Sequence, residues 1–156
     1  DMLPSFVVLA GYALDSPDPG FDSWHPLETV MLQAIHHDSA KRRDPRFRTL
    51  VLHSRGSFAR ARLQDPPEAW AADLLWEAGE LLGPWAASPL WHQAHTWRSG
   101  RVRRGDQLDA PCSLAGPSGG SLHLVGDAFG REVGLEGAWR SGMIAADRIL
   151  GRDAER

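Results

Sequence analysis

Apolar and polar positions along this chain follow two periods, and each predicts an element. Phe6 to Leu14 (FVVLAGYAL) is a run of β-branched and aromatic residues that predicts a buried strand. Ser16 to Pro26, with three prolines and a glycine, reads as a loop. Thr29 to His37 fits a strand or a short helix. Strand is the better reading, because Asp38 to Pro45 forms a polar hairpin connection and Phe47 to His53 (FRTLVLH) supplies an antiparallel partner. Ala69 to Leu82 then carries Trp70, Leu74 and Leu81 at helical spacing, with Pro66-Pro67 at its start and Gly83-Pro84 at its end. Pro89 to Ser99 predicts a long strand with mixed faces, Asp109 to Gly120 a loop, and Ser121 to Val125 a short strand. A last helix is expected from Gly134 through Ile149, capped by Gly151.

Strands, helix, strands, helix without βαβ alternation predict an α+β fold built on an antiparallel sheet. A division at residue 120 is expected: residues 1–120 as a substrate-binding α+β domain, and residues 121–156 as a C-terminal strand–loop–helix that completes a cofactor domain.

Composition narrows the function classes. With 156 residues, 42% of them apolar, the chain can bury a core without metals or disulfides. The formal net charge of -3 gives no support to nucleic-acid binding. The single cysteine, Cys112, rules out an internal disulfide framework and fits a reducing, cytoplasmic setting. No apolar run approaches the roughly 20 residues of a membrane span, and Phe6 to Leu14 lacks the basic flank of a signal peptide. Membrane partners are therefore not expected. Most of the seven tryptophans are expected in core or interface positions.

The chemistry concentrates between Leu122 and Ala146. An apolar strand runs into Gly126-Asp127, a loop follows with Gly130 and Gly134, and Glu136-Gly137-Ala138 opens a helix. The first amides of a helix have no intrahelical acceptor and carry partial positive charge, so they suit an anion or an electron-rich carbonyl. Gly137 leaves room for a flat ligand over the helix end. Gly142 and Ala145-Ala146 allow the helix to pack closely. On spacing alone, a plain glycine-rich loop before an amphipathic helix explains the segment equally well.

The pattern GDAFG…GLEGAWRSG…AA resembles the C-terminal flavin motif of the amine oxidase superfamily. The resemblance implies FAD, with Gly126 and Asp127 facing its ribityl and phosphate portion. Leu135, Glu136, Gly137 and Ala138 would lie at the flavin ring edge, stabilising negative charge on N1 and O2 by preorganised dipoles. The likeness extends upstream to His53 to Leu63 and to Ala94 to Val102 (AHTWRSGRV), which look like the substrate domain of renalase-like oxidoreductases. It spans about residues 5 to 150. Trp97, Arg98 and His95 are the substrate-pocket candidates it suggests. Strand alternation puts His95 and Trp97 on one face and Arg98 on the other. Ser99-Gly100 and Arg131-Glu132 depart from the family's usual residues. The implied activity is oxidation of an amine or a dihydronicotinamide by hydride transfer to flavin N5, so the substrate is a small amine or a nicotinamide-type molecule.

No GxGxxG follows a strand anywhere, and that element holds the adenosine and pyrophosphate half of FAD. The chain is therefore expected to be the C-terminal part of a flavoenzyme, inactive alone, carrying half a FAD site and lacking an N-terminal NAD(P)-type dinucleotide-binding half. The face left bare would favour a homodimer. The alternatives are a cofactor-free binding or interaction module that keeps the fold, and an unrelated α+β domain whose loop imitates the motif.

Other features read more plainly. Eight Lys and Arg residues lie between Lys41 and Arg62 against Asp44 alone. They suit a phosphate-bearing substrate such as a nicotinamide dinucleotide, or simply a solvated hairpin, since no aromatic platform interleaves them. His36-His37 and His92/His95 do not converge, so no metal is expected. Cys112 and Ser57 lack the partners of a nucleophile, and no catalytic residue is assigned. Asp73, Glu77 and Glu80 read as the solvated face of the first long helix.

Overall fold

The computed structural model describes residues 1–132 and 134–152. The chain divides into two compact units, residues 4–100 and residues 1–3 together with the chain from 101 onward. The expected division at residue 120 differs from this one chiefly by a strand, Cys112–Ala115, that pairs beyond it.

The first unit is built on β1 (Met2–Tyr12), β2 (Ser23–Trp24), β3 (Leu32–His37), β4 (Arg48–Ser54) and β5 (Trp91–Val102), in the order β2-β3-β4-β1-β5. β1 with β4, β4 with β3 and β3 with β2 all pair antiparallel. The α+β reading therefore holds. The register of β3 on β4 shifts between Leu32 and Ala34, a bulge that puts Leu32 and Ile35, three residues apart, on the same core-facing side opposite Ser54 and Leu52. Strand β1 alternates as its sequence predicts: Phe6, Val8, Ala10 and Tyr12 point into the core, and Val7 and Leu9 point away. The strand stops at Tyr12, and Leu14 is exposed, because the Ala13–Ser16 turn starts there.

Helix α1 (Gly56–Ala61) and helix α2 (Pro67–Leu82) cover the inner face. Trp70 stacks on Phe6 at 4.2 Å between ring centroids, and Phe58 meets the Phe6 edge at 6.2 Å. Burial of Trp70, Leu74, Leu75, Leu50, Leu52 and their neighbours contributes about 1.5–3 kcal/mol for each large side chain. The Tyr12 hydroxyl donates to the Ala86 carbonyl at 2.7 Å, and burial pushes its pKa well above the ordinary tyrosine value.

Two expectations about this unit need correction. α1 lies in a segment where periodicity predicted no helix, because six residues are too few to show a period. Glu77 does not lie on a solvated face. It is buried, and its carboxylate accepts the amides of Val30, Met31 and Leu32 at 2.5–3.3 Å. Those three N–H groups belong to the chain just before the β3 bulge and need an acceptor that the sheet does not supply. Asp73, by contrast, is half-buried and pairs with Arg62.

The second unit holds a hairpin, β6 (Cys112–Ala115) with β7 (Ser121–Leu124), and helix α3 (Gly134–Ile149). β6 falls inside the stretch read as loop. α3 has the predicted bounds. Its end is a Schellman turn: the amide of Gly151 donates to Arg148 and that of Arg152 to Asp147, with Gly151 at φ +67°. Of the small residues expected to pack the helix, Ala145 is buried, whereas Gly142 is half-buried and Ala146 exposed; the packed row is Gly137, Ser141 and Ala145, spaced by four. No helix among the described residues is long and apolar enough to cross a membrane.

Candidate flavin-site half

Strand β7 ends at Leu124, and Val125 leads into Gly126-Asp127. The amide of Gly126 donates to Ser141 Oγ at 2.8 Å, and that hydroxyl donates in turn to the Ala138 carbonyl, also at 2.8 Å. A side chain two turns inside α3 thus ties the end of the strand to the helix. The strand end at Gly126 and the second turn of α3 thereby form one rim, which brings the two halves of the sequence pattern together. Sequence reasoning missed Ser141. The available signal was its position four residues after Gly137, on the same helix face.

The candidates differ in exposure. Leu135 and Glu136 are exposed, Ala138 is half-buried and Gly137 is buried. A Cβ built on Gly137 would overlap the backbone carbonyl of Glu132, so the space in front of this glycine is filled by the preceding loop. The glycine is needed for that close approach. Arg140 bridges Glu132 at 2.8 Å and Glu136 at 3.2 Å, which holds the loop to the helix from the solvent side. Asp127 is half-buried and makes no hydrogen bond or ion pair among the described residues.

Two adjoining clefts, of about 710 and 300 Å3, open beside the chain from Phe129 to Glu132 and the first half of α3, and neither Gly126 nor Asp127 lines them. Their charged lining comprises Arg104, Arg131 and Arg140 against Asp109, Glu132 and Glu136. Three cations balance three carboxylates. Such a lining suits a flat, neutral, hydrogen-bonding ring edge better than a bare diphosphate. The amides at the start of α3 and the Asp127 carboxylate, unpartnered among the described residues, are donors and an acceptor of the kinds that a flavin ring edge and a polyol chain need. These residues fit part of a flavin. The amide of Gly126 is already used by Ser141, so this glycine offers a ligand space but no donor.

The substrate-pocket candidates lie in the first unit, on β5. His95 and Trp97 share a face and meet edge to face at 4.6 Å between centroids, while Arg98 falls at the alternate position. All three are exposed. His92 is exposed as well. His36 and His37 lie on opposite faces of β3, and His36 has ring neighbours in His25 at 5.9 Å and His53 at 5.1 Å. Among the described residues, no group of three or more His, Cys, Asp or Glu is placed to hold a metal ion.

The comparisons with known proteins agree with the motif. No curated protein matches the chain. A family model described as flavin containing amine oxidoreductase matches residues 11–150, which takes in both units and the whole rim. The cofactor of that family is a flavin and its general chemistry is oxidation of amines. On this match, the chain belongs to the flavin-containing amine oxidoreductase family.

Proposed function

We propose that this chain supplies the substrate-binding and flavin-capping part of a renalase-like oxidoreductase that oxidises an amine or a dihydronicotinamide. The observation that carries the reading is the Ser141 tie, which joins the strand end at Gly126 to the second turn of α3, next in sequence to the Asp127 carboxylate, unpartnered among the described residues. When bound, the flavin supplies the hydride acceptor at its N5. The chain's own groups would do the rest. The amides of Leu135 to Ala138 would stabilise charge at the ring edge, Asp127 would accept hydrogen bonds from the ribityl hydroxyls, and His95, Trp97 or Arg98 would position the substrate. The adenosine half of the cofactor needs a dinucleotide-binding element that these residues do not provide, so the chain holds half a site. A row of exposed apolar residues on α3, Leu135, Trp139 and Met143, is the surface on which that element or a second copy of the chain would pack. A cytoplasmic setting belongs to the same reading and rests on the single cysteine.

A second reading, a cofactor-free module, draws support from the Glu132 carbonyl lying against Gly137, where the motif calls for open space. Flavin titration followed by amide resonances separates the two. The half-site reading expects weak, saturable shifts at Asp127 and at residues 135–138, with no flavin retained through gel filtration. A tightly held yellow cofactor would overturn the half-site claim. Unmoved resonances at millimolar FAD would favour the cofactor-free module.

A further inference from the structure

We propose that the outer face of the first unit's sheet carries a binding site for a small aromatic anion, a single ring bearing a carboxylate or a phosphate, independent of flavin handling. The site is a cleft of about 180 Å3 between the β3–β4 connection and the start of β5. This volume falls below the roughly 300–1,000 Å3 of pockets that enclose drug-sized ligands. It admits one ring and one charged group, and excludes a dinucleotide.

Each wall has a physical origin. Leu9 forms the apolar floor from β1. The Trp91 indole lies directly over Gly11, where a Cβ would overlap the ring, and this contact fixes the ring's position. Phe47 meets Trp91 edge to face at 5.8 Å. Together they give the aromatic surface that the basic hairpin lacks in sequence, because Trp91 arrives from a distant strand. Arg42 and Arg46 stand at the mouth. Arg42 is bound to Asp38 at 2.9 Å, and Lys41 reaches the same carboxylate at 3.2 Å. The one acid of the cleft is thus already countered by two cations. Arg46 is exposed and makes no ion pair among the described residues, so its guanidinium is available to an anion. At the inner wall the Thr49 hydroxyl is buried without a hydrogen-bond partner, and its own amide is taken by Ser39 Oγ at 3.0 Å. A polar group entering beneath the indole would satisfy that hydroxyl.

An aromatic ring and an anion together therefore bind better than either alone. The test titrates the full chain with phenyl phosphate and with phenylacetate, following the Trp91 indole N–H resonance and the heat of binding. Inorganic phosphate, acetate and benzyl alcohol serve as single-feature controls. The expected result is saturable binding of both aromatic anions, each control weaker by about tenfold or more. Arg46→Gln should weaken both aromatic anions about fivefold at an unchanged thermal midpoint, since this side chain supports no fold contact. Trp91→Leu should weaken phenyl phosphate while leaving the response to inorganic phosphate as it was. The proposal fails if inorganic phosphate competes as well as phenyl phosphate, which marks a plain charged patch. It fails equally if Arg46→Gln binds like the parent, or if the parent shows no saturable binding.

Discussion

Glu77 is the residue whose environment departs furthest from its chemistry. A carboxylate that accepts three backbone amides in a buried place makes charge-assisted bonds that water would otherwise supply. Glu77→Ala leaves those donors without an acceptor, and a cost of about 3 kcal/mol is expected, read as a lower urea midpoint at unchanged slope. Glu77→Gln keeps one acceptor oxygen and should lose less. His36 gives the residue-scale pH dependence. Its pKa is held below the ordinary histidine value by burial first, then by His25 and Lys41, with Asp38 pulling the other way. The unfolded chain therefore takes the proton more readily than the fold does. Stability is complete above about pH 6.5 and falls as the pH drops below it. His36→Gln should flatten that part of a plot of urea midpoint against pH. An unchanged slope would show that the acid sensitivity comes from elsewhere.

Among the elements, α3 and its loop depend on small residues. Gly137→Ala should gain about 1 kcal/mol of helix propensity and lose more to the overlap with Glu132, for a net cost of about 1–2 kcal/mol in thermal or urea unfolding. Ser141→Ala leaves the Gly126 amide without its partner and should cost about 1 kcal/mol, with faster exchange of that amide. The elements that could be read in the sequence were those with a sustained period: β1 by alternation, α2 and α3 by spacing, and the β3–β4 pair by its polar connection. α1 is too short to have a period. β6 is hidden because its four residues sit between proline and glycine clusters. Glu77 shows the opposite failure. Positions 70, 74, 77 and 81 form one helical stripe, so its spacing points inward while its charge points outward. The candidate rim is legible as a motif. The Ser141 tie and the Glu132 carbonyl are not, because both depend on which atoms the loop brings to the helix.

Over the whole molecule, burial is uneven. Every residue of the large core cluster lies between Phe6 and Ala86. Among the described residues from 101 onward, the buried apolar side chains are only Val102 and Ala145. Leu114, Leu122, Leu124, Leu135 and Trp139 in that stretch are exposed. Local stability follows buried apolar contact, so amides of β6, β7 and α3 should exchange at lower free energy than those of β1, β4 and α2. Hydrogen exchange with mass spectrometry reads this directly. Equal protection in both units would contradict it.

The Gly11–Trp91 contact also bears on descent. Position 11 can gain no carbon while position 91 keeps an indole there. The two codons are therefore not free to drift separately. A lineage that acquires alanine at 11 must first, or at the same time, accept a smaller or displaced side chain at 91, and a return to tryptophan stays blocked until glycine is restored. Relatives should fall into two groups at this pair, and the group without the glycine should also lack the flat aromatic wall on that face of the sheet.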